Sequence, residues 1–198
     1  TTYPFAAAPP LREGLWMTEM PGAQSLPALH FTPELLLAAQ GVRVAFFDVD
    51  GVLTDGGIYF SEAGETLKRF HTLDGHGLKL LQKAGIVPAV ITGRDSAPLR
   101  LRLSALGVEH AVFGTEDKAP AAQRLLDQLG LAWNQAAAMG DDWPDLPVMQ
   151  RARFACAPPD AHVEVRSRAH HITAARAGVG AAREFCDLLL MANGAYAR

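Results

Sequence analysis

Four apolar residues, Val44, Ala45, Phe46 and Phe47, lead straight into two carboxylates one position apart, Asp48 and Asp50, and then into Gly51. No other stretch constrains this chain as much. An unbroken apolar run is the pattern of a strand covered on both faces, as at the centre of a parallel sheet. In open α/β sheets, ligands bind beyond the carboxyl ends of such strands, where Asp48 and Asp50 are expected. Residues two apart along a strand share a face, although Gly51 marks the start of a turn. Two acids in so small a space resist joint ionisation unless a cation is near. The pair therefore points to a bound metal or to a division into base and acid. Alone, it also fits an acidic strand end entering a turn, and only the later segments decide.

With 198 residues, 49% hydrophobic and 20% charged, the chain can build one sizeable core and has little room for a second. One domain is expected over residues 31–198, preceded by a flexible Ala- and Pro-rich arm over 1–30. Thr32, Pro33 and Glu34 read as a helix start that runs to Gln40 and ends at Gly41. Strand 42–48 follows. Segments 58–60 and 66–70 flank a Gly-containing loop, the pattern of a β-hairpin projecting as a flap. Helices are expected at 77–84, 96–106, 119–129, 146–151 and 180–193, with strands at 87–91, 108–113, 136–139 and 154–157 between them. This alternation predicts an α/β fold, a doubly wound parallel sheet.

The strand ends then supply a set of groups for one rim: Asp48 and Asp50, then Thr92, Gly93 and Arg94, then Lys118, then Asp141 and Asp142. Phosphate monoester hydrolysis is very slow in water and needs a nucleophile together with charge neutralisation. Asp48 can attack phosphorus and form an aspartyl-phosphate, while Asp50 protonates the leaving alkoxide and later deprotonates water. The Thr92 hydroxyl and the Lys118 ammonium oppose charge on the phosphoryl oxygens. Asp48 and Asp141, with a backbone carbonyl and waters, make a hard-oxygen site suited to Mg²⁺. Singly, each group has an ordinary explanation as a turn, a helix start or a cap. Their joint order at four predicted strand ends is what favours chemistry.

These motifs resemble those of the haloacid dehalogenase superfamily. Further stretches are similar to its capless, tetrameric family of phosphatases for 3-deoxy-D-manno-octulosonate 8-phosphate: Asp50 to Gly56, Lys68-x-Phe70, Asp74 to Lys79, Ile91 to Ser96, Asp141 to Met149 and Asp160 to His162. The likeness runs over roughly residues 35–195. It implies magnesium-dependent hydrolysis of that sugar-acid phosphate in lipopolysaccharide precursor synthesis. Asp48 and Asp141 would be metal ligands, Asp50 would add its backbone carbonyl, and Asp48, Asp50, Thr92 and Lys118 would be catalytic. Substrate contacts would fall on Asp50, His71, Thr72, Leu73, Asp74, Gly75, Lys79, Arg94, Arg102 and Lys118. Two departures, Ala177 in place of a glycine and Val179 in place of a longer polar residue, lie in a late segment that contacts the sugar in this family.

No segment is long enough for a cap domain, so a homotetramer built through the 56–70 hairpin is expected to complete the site. The segment from Leu188 to Arg198 is a candidate to reach a neighbouring subunit. Two alternatives stay open: a phosphatase for a nine-carbon acid such as N-acylneuraminate 9-phosphate, and a non-catalytic oligomerisation module. The net charge of −3 and the lack of a long basic stretch speak against a nucleic-acid partner. Cys156 and Cys186, without a C-x-x-C pair, fit reduced thiols in a cytoplasmic protein, and no apolar run suits a membrane span. His170 and His171 lack the companions of a metal site, and Trp143 reads as a loop residue.

Overall fold

The computed structural model describes residues 28–196. The expected arm over 1–30 lies outside them except for its last three positions. In chain order the elements begin with α1 (Pro33–Ala39), β1 (Val44–Phe47), β2 (Tyr59–Ser61), β3 (Gly64–Leu67), α2 (Thr72–Lys83), β4 (Val87–Ile91), α3 (Ala97–Leu106) and β5 (His110–Val112). They continue with α4 (Lys118–Leu129), β6 (Ala136–Met139), α5 (Leu146–Met149), β7 (Phe154–Ala157), α6 (Val163–Arg166), β8 (His171–Ile172) and α7 (Ala181–Ala192). Helix α1 starts where its sequence dictates, since the Thr32 hydroxyl oxygen accepts from the Leu35 N–H at 3.3 Å and Pro33 occupies the first turn.

Six parallel strands form one sheet in the order β5-β4-β1-β6-β7-β8. From β1 the chain steps outward to β4 and β5, and from β6 it steps the other way to β7 and β8. The order reverses between β1 and β6, and a crevice opens beyond the strand ends at such a point. Asp48 follows one of these strands and Asp141 follows the other by two residues.

Alternation along β1 divides the core. Ala45 and Phe47 face a layer with Leu78 and Leu81 of α2, Leu99 and Leu103 of α3 and Phe185 of α7. Val44 and Phe46 face Ala121, Leu125 and Leu126 of α4, Met149 of α5 and Val165 of α6. Phe47 and Phe185 meet edge to face at 5.4 Å between centroids. Each fully buried side chain of this size contributes about 1.5–3 kcal/mol. Cys156 and Cys186 are free and fully buried, and burial pushes both thiols well above their ordinary pKa. Among the described residues, no helix is long and apolar enough to cross a membrane.

Three expectations need correction. Helix α2 begins at Thr72 rather than 77 and so takes in Gly75, a residue of low helix propensity. Tertiary packing overrides that propensity: a β-carbon on Gly75 would lie 2.3 Å from Arg102 Nη2. In the hairpin the strands extend further toward each other, with Ser61 paired to Gly64 and only Glu62 and Ala63 between them. Helix α6 and strand β8 went unread, because four and two residues are too short to display a period.

Candidate active site

The Asp48 N–H donates to the carbonyl of Met139 at 3.1 Å, carrying the β1–β6 pairing one step beyond the strand. The N–H groups of Val52, Leu53 and Thr54 then converge on the Val49 carbonyl at 3.2, 2.9 and 2.9 Å. The Thr54 hydroxyl joins them at 3.3 Å. These bonds brace the turn that places Asp48 and Asp50 in one cleft. At Gly51, φ is +87°, and a β-carbon there would fall 2.1 Å from Asp141 Oδ2. Only glycine permits that approach.

Lys118 opens α4 and is 5% exposed. Its Nζ lies 2.7 Å from Asp48 Oδ1 and 2.7 Å from Asp145 Oδ1. The second oxygen of Asp145 accepts from the N–H groups of Asp141 at 3.0 Å and Asp142 at 3.2 Å. Asp145 therefore has both oxygens committed, one holding the lysine and one holding the loop that carries Asp141.

Carboxylate oxygens of Asp48, Asp141 and Asp145 lie within 4.8 Å of one another. Burial and then the Asp145 charge push Asp48 up to about 6, against the pull of Lys118. Burial, Asp48 and Asp145 push Asp141 up to about 8. For Lys118, burial works against its charge, but Asp145 and Asp48 outweigh it and raise the pKa. So crowded an acid set lacks positive charge, and its free oxygens belong to Asp48 and Asp141. The donors fit a small divalent cation that prefers oxygen, such as Mg²⁺.

The Asp50 carboxylate is drawn off this cluster. Its Oδ1 pairs with Lys68 and its Oδ2 lies 3.7 Å from Arg94 Nε. Lys68 also meets Glu65 at 2.9 Å, and Arg94 lies 3.6 Å from the same carboxylate. Thr92 is buried at the end of β4, its hydroxyl oxygen accepting from the Arg94 N–H at 3.2 Å. Asp48, Asp50, Thr92, Arg94, Lys118 and Asp141 thus share one cleft of about 210 Å³.

Other expected substrate residues stand elsewhere. His71 caps α2, its Nδ1 accepting from the Leu73 N–H at 3.2 Å, while Thr72 and Leu73 are exposed. The Asp74 carboxylate is buried and accepts from the N–H groups of Gly180 (3.2 Å) and Arg183 (2.9 Å), locking α2 to the start of α7. Gly75 and Arg102 border a small void behind α2, and Arg102 Nη2 donates to the His71 carbonyl at 3.4 Å. Lys79 is exposed on α2. Ala177 is buried, and Val179 is exposed beside Gly178, whose N–H donates to Val52. Leu188, Leu189, Leu190, Ala195 and Tyr196 pack on the chain's own core; residues 197–198 lie outside the described part.

Sequence reasoning assigns no site role to Asp145, Glu65 or Lys68, although Asp145 and Lys68 lie in the family-like stretches. For Asp145 a signal existed in the Asp142-x-x-Asp145 spacing, which reads as a cap and here also serves Lys118. Glu65 and Lys68 gave no local signal of a role at Asp50, because only the return of the hairpin brings them there.

The parallel sheet, its switch point and this acidic cleft define a haloacid dehalogenase-like hydrolase, and the model of that family matches residues 112–185. The chain is 40% identical over 163 residues to the 3-deoxy-D-manno-octulosonate 8-phosphate phosphatase KdsC of Salmonella typhimurium, covering 82% of this chain and 87% of that one. It belongs to the 3-deoxy-D-manno-octulosonate 8-phosphate phosphatase family of these hydrolases. The crystal structure of the Yersinia pestis phosphatase of that name is 39% identical with a TM-score of 0.80, covering 82% of this chain and 88% of that one. The Moraxella catarrhalis phosphatase, crystallised with a magnesium ion, a phosphate ion and a KDO molecule, is 37% identical with a TM-score of 0.79, covering 81% and 92%.

Proposed function

We propose that this chain hydrolyses 3-deoxy-D-manno-octulosonate 8-phosphate to the free sugar acid and phosphate, as a step in making lipopolysaccharide precursors. The observation that carries this reading is the convergence of Asp48, Lys118 and Asp141 in one cleft of a chain 40% identical to phosphatases of that name. Asp48 is the nucleophile. An Asp48 oxygen attacks phosphorus, the bond to the sugar oxygen breaks, and an aspartyl-phosphate forms. Asp50 gives its proton to the departing alkoxide and then takes one from the water that cleaves the aspartyl-phosphate. Lys118 holds Asp48 in place and, with the Thr92 hydroxyl, faces the phosphoryl oxygens. Asp48, Asp141 and the Asp50 carbonyl would hold Mg²⁺, which would supply charge neutralisation of the phosphoryl group.

Arg94 stands at the rim for the second anionic end of the substrate. Residues 71–75, Lys79 and Arg102 enter this reading at the sugar end through the family likeness. The hairpin presents Ile58, Tyr59, Phe60 and Leu67 to solvent, with Phe60 67% exposed. Such a patch supports assembly into a homotetramer whose neighbouring subunits cover the cleft, in the cytoplasm. Phosphate release is to be measured with magnesium from the octulosonate phosphate, N-acylneuraminate 9-phosphate and an aryl phosphate, with Asp48→Asn as control. Preference for the first, lost in Asp48→Asn, is expected. Preference for the second replaces the substrate, and no release from any removes the enzymatic reading.

A further inference from the structure

We infer that Lys68, braced by Glu65, is the positioning residue for the carboxyl group of Asp50, an assignment that rests on the acid and base role proposed for Asp50. The Lys68 side chain is 1% exposed, so it does not meet substrate itself. Its ammonium group lies between two carboxylates, Asp50 Oδ1 and Glu65 Oε1, the latter at 2.9 Å. Arg94 completes a ring of alternating charge, 3.7 Å from Asp50 Oδ2 and 3.6 Å from Glu65 Oε2. The two Asp50 oxygens are therefore unequal. Oδ1 is anchored to a buried cation, whereas Oδ2 faces the longer and more exposed contact at the rim, where the Arg94 side chain is 44% exposed.

A proton donor must be aimed at the leaving oxygen, and an anchored Oδ1 leaves Oδ2 as the atom that exchanges the proton with substrate. The anchor also restrains the flap. A buried charge stripped of its partner is strongly unfavourable, so the segment just after β3 stays against Asp50. The hairpin thereby supplies part of the catalytic geometry from within the same chain, before any neighbour covers it.

Positioning of an acid has a signature that general weakening of the fold lacks. A sugar alkoxide needs a proton to leave; dinitrophenolate does not. The test is single-turnover release of the leaving group at saturating magnesium, which reports the first displacement alone, for the octulosonate phosphate and for 2,4-dinitrophenyl phosphate. Lys68→Met is expected to slow the sugar phosphate about a hundredfold and the dinitrophenyl ester less than about tenfold, with Asp50→Asn showing the same split. Equal losses on both substrates in Lys68→Met, beside a split in Asp50→Asn, overturn the assignment and leave the acid role standing. If Asp50→Asn shows no split, the acid role itself falls, and this inference with it. Should Lys68→Met fail to fold by circular dichroism, Glu65→Gln decides: a split of about tenfold supports the brace and equal losses overturn it.

Discussion

Gly51 and Asp141 stand so close that the smallest side chain at the first would occupy the space of the second: a β-carbon would lie 2.1 Å from Asp141 Oδ2. Gly51→Ala must therefore displace the Asp141 carboxylate and also hold alanine at a positive φ, a strain of about 1–3 kcal/mol. Magnesium-dependent kcat is expected to fall by about a hundredfold or more, since a misplacement near 1 Å has that effect. Steady-state kinetics over a magnesium titration checks this, and unchanged magnesium dependence would refute it.

Lys118→Met removes the cation shared by Asp48 and Asp145. A loss of about 10²–10³ in kcat is expected, as for removal of a group that stabilises charge in the transition state. Stability should fall as well. The raised pKa of Lys118 means that its ion pairs support the fold below the ordinary lysine pKa, and this support vanishes only as pH rises through the folded value. Urea unfolding at neutral pH should show the variant less stable, and a gain there would contradict the pairing.

Removal of magnesium should make stability depend on pH. Asp48 and Asp141 are raised to about 6 and about 8 from an ordinary 3.8. A carboxyl that holds its proton more tightly when folded supports the fold fully below the ordinary value, and that support is lost as pH rises through the folded pKa. In chelator, Tm is expected to decline between about pH 4 and about pH 8. The added stability from magnesium should widen over the same range, because the cation takes the place of protons. Calorimetric scans with and without chelator measure both trends, and a pH-independent gap would count against a cation at Asp48 and Asp141.

Phe60→Glu places a charge on the apolar side of the hairpin, at a position 67% exposed in the single chain. On the proposed assembly, sedimentation should find the parent a tetramer and the variant dissociated, while far-ultraviolet circular dichroism stays unchanged. Hydrolysis of the sugar phosphate should drop more than hydrolysis of an aryl phosphate, which needs no lid. A monomeric parent, or a variant that sediments as the parent does, would count against a tetramer built through the hairpin.

The sequence announced the sheet well, because the inner strands carry apolar runs and three of them, β1, β4 and β6, lead into a chemically conspicuous residue. Asp48, Thr92 and Asp141 were legible for that reason and Lys118 by its place after β5, and the structure brings them into one cleft. What stayed hidden depends on contacts between distant segments. Asp74 and Gly75 were expected as substrate contacts, and only the folded chain shows Arg102 against Gly75 and the α7 amides on the Asp74 carboxylate. The hairpin itself was legible, but not that its return sets Lys68 against Asp50 with Glu65 beside it.

The two buried thiols bear on where such an enzyme can work. Cys156 sits in β7 and Cys186 in α7, both fully enclosed and both with raised pKa, so neither offers the exposed thiolate that peroxide attacks. On the role proposed for Asp48, such an enzyme attacks with a carboxylate and has no sulfur to lose at its reacting centre. Its turnover should therefore be indifferent to oxidative stress, a condition that silences phosphatases built on an activated cysteine.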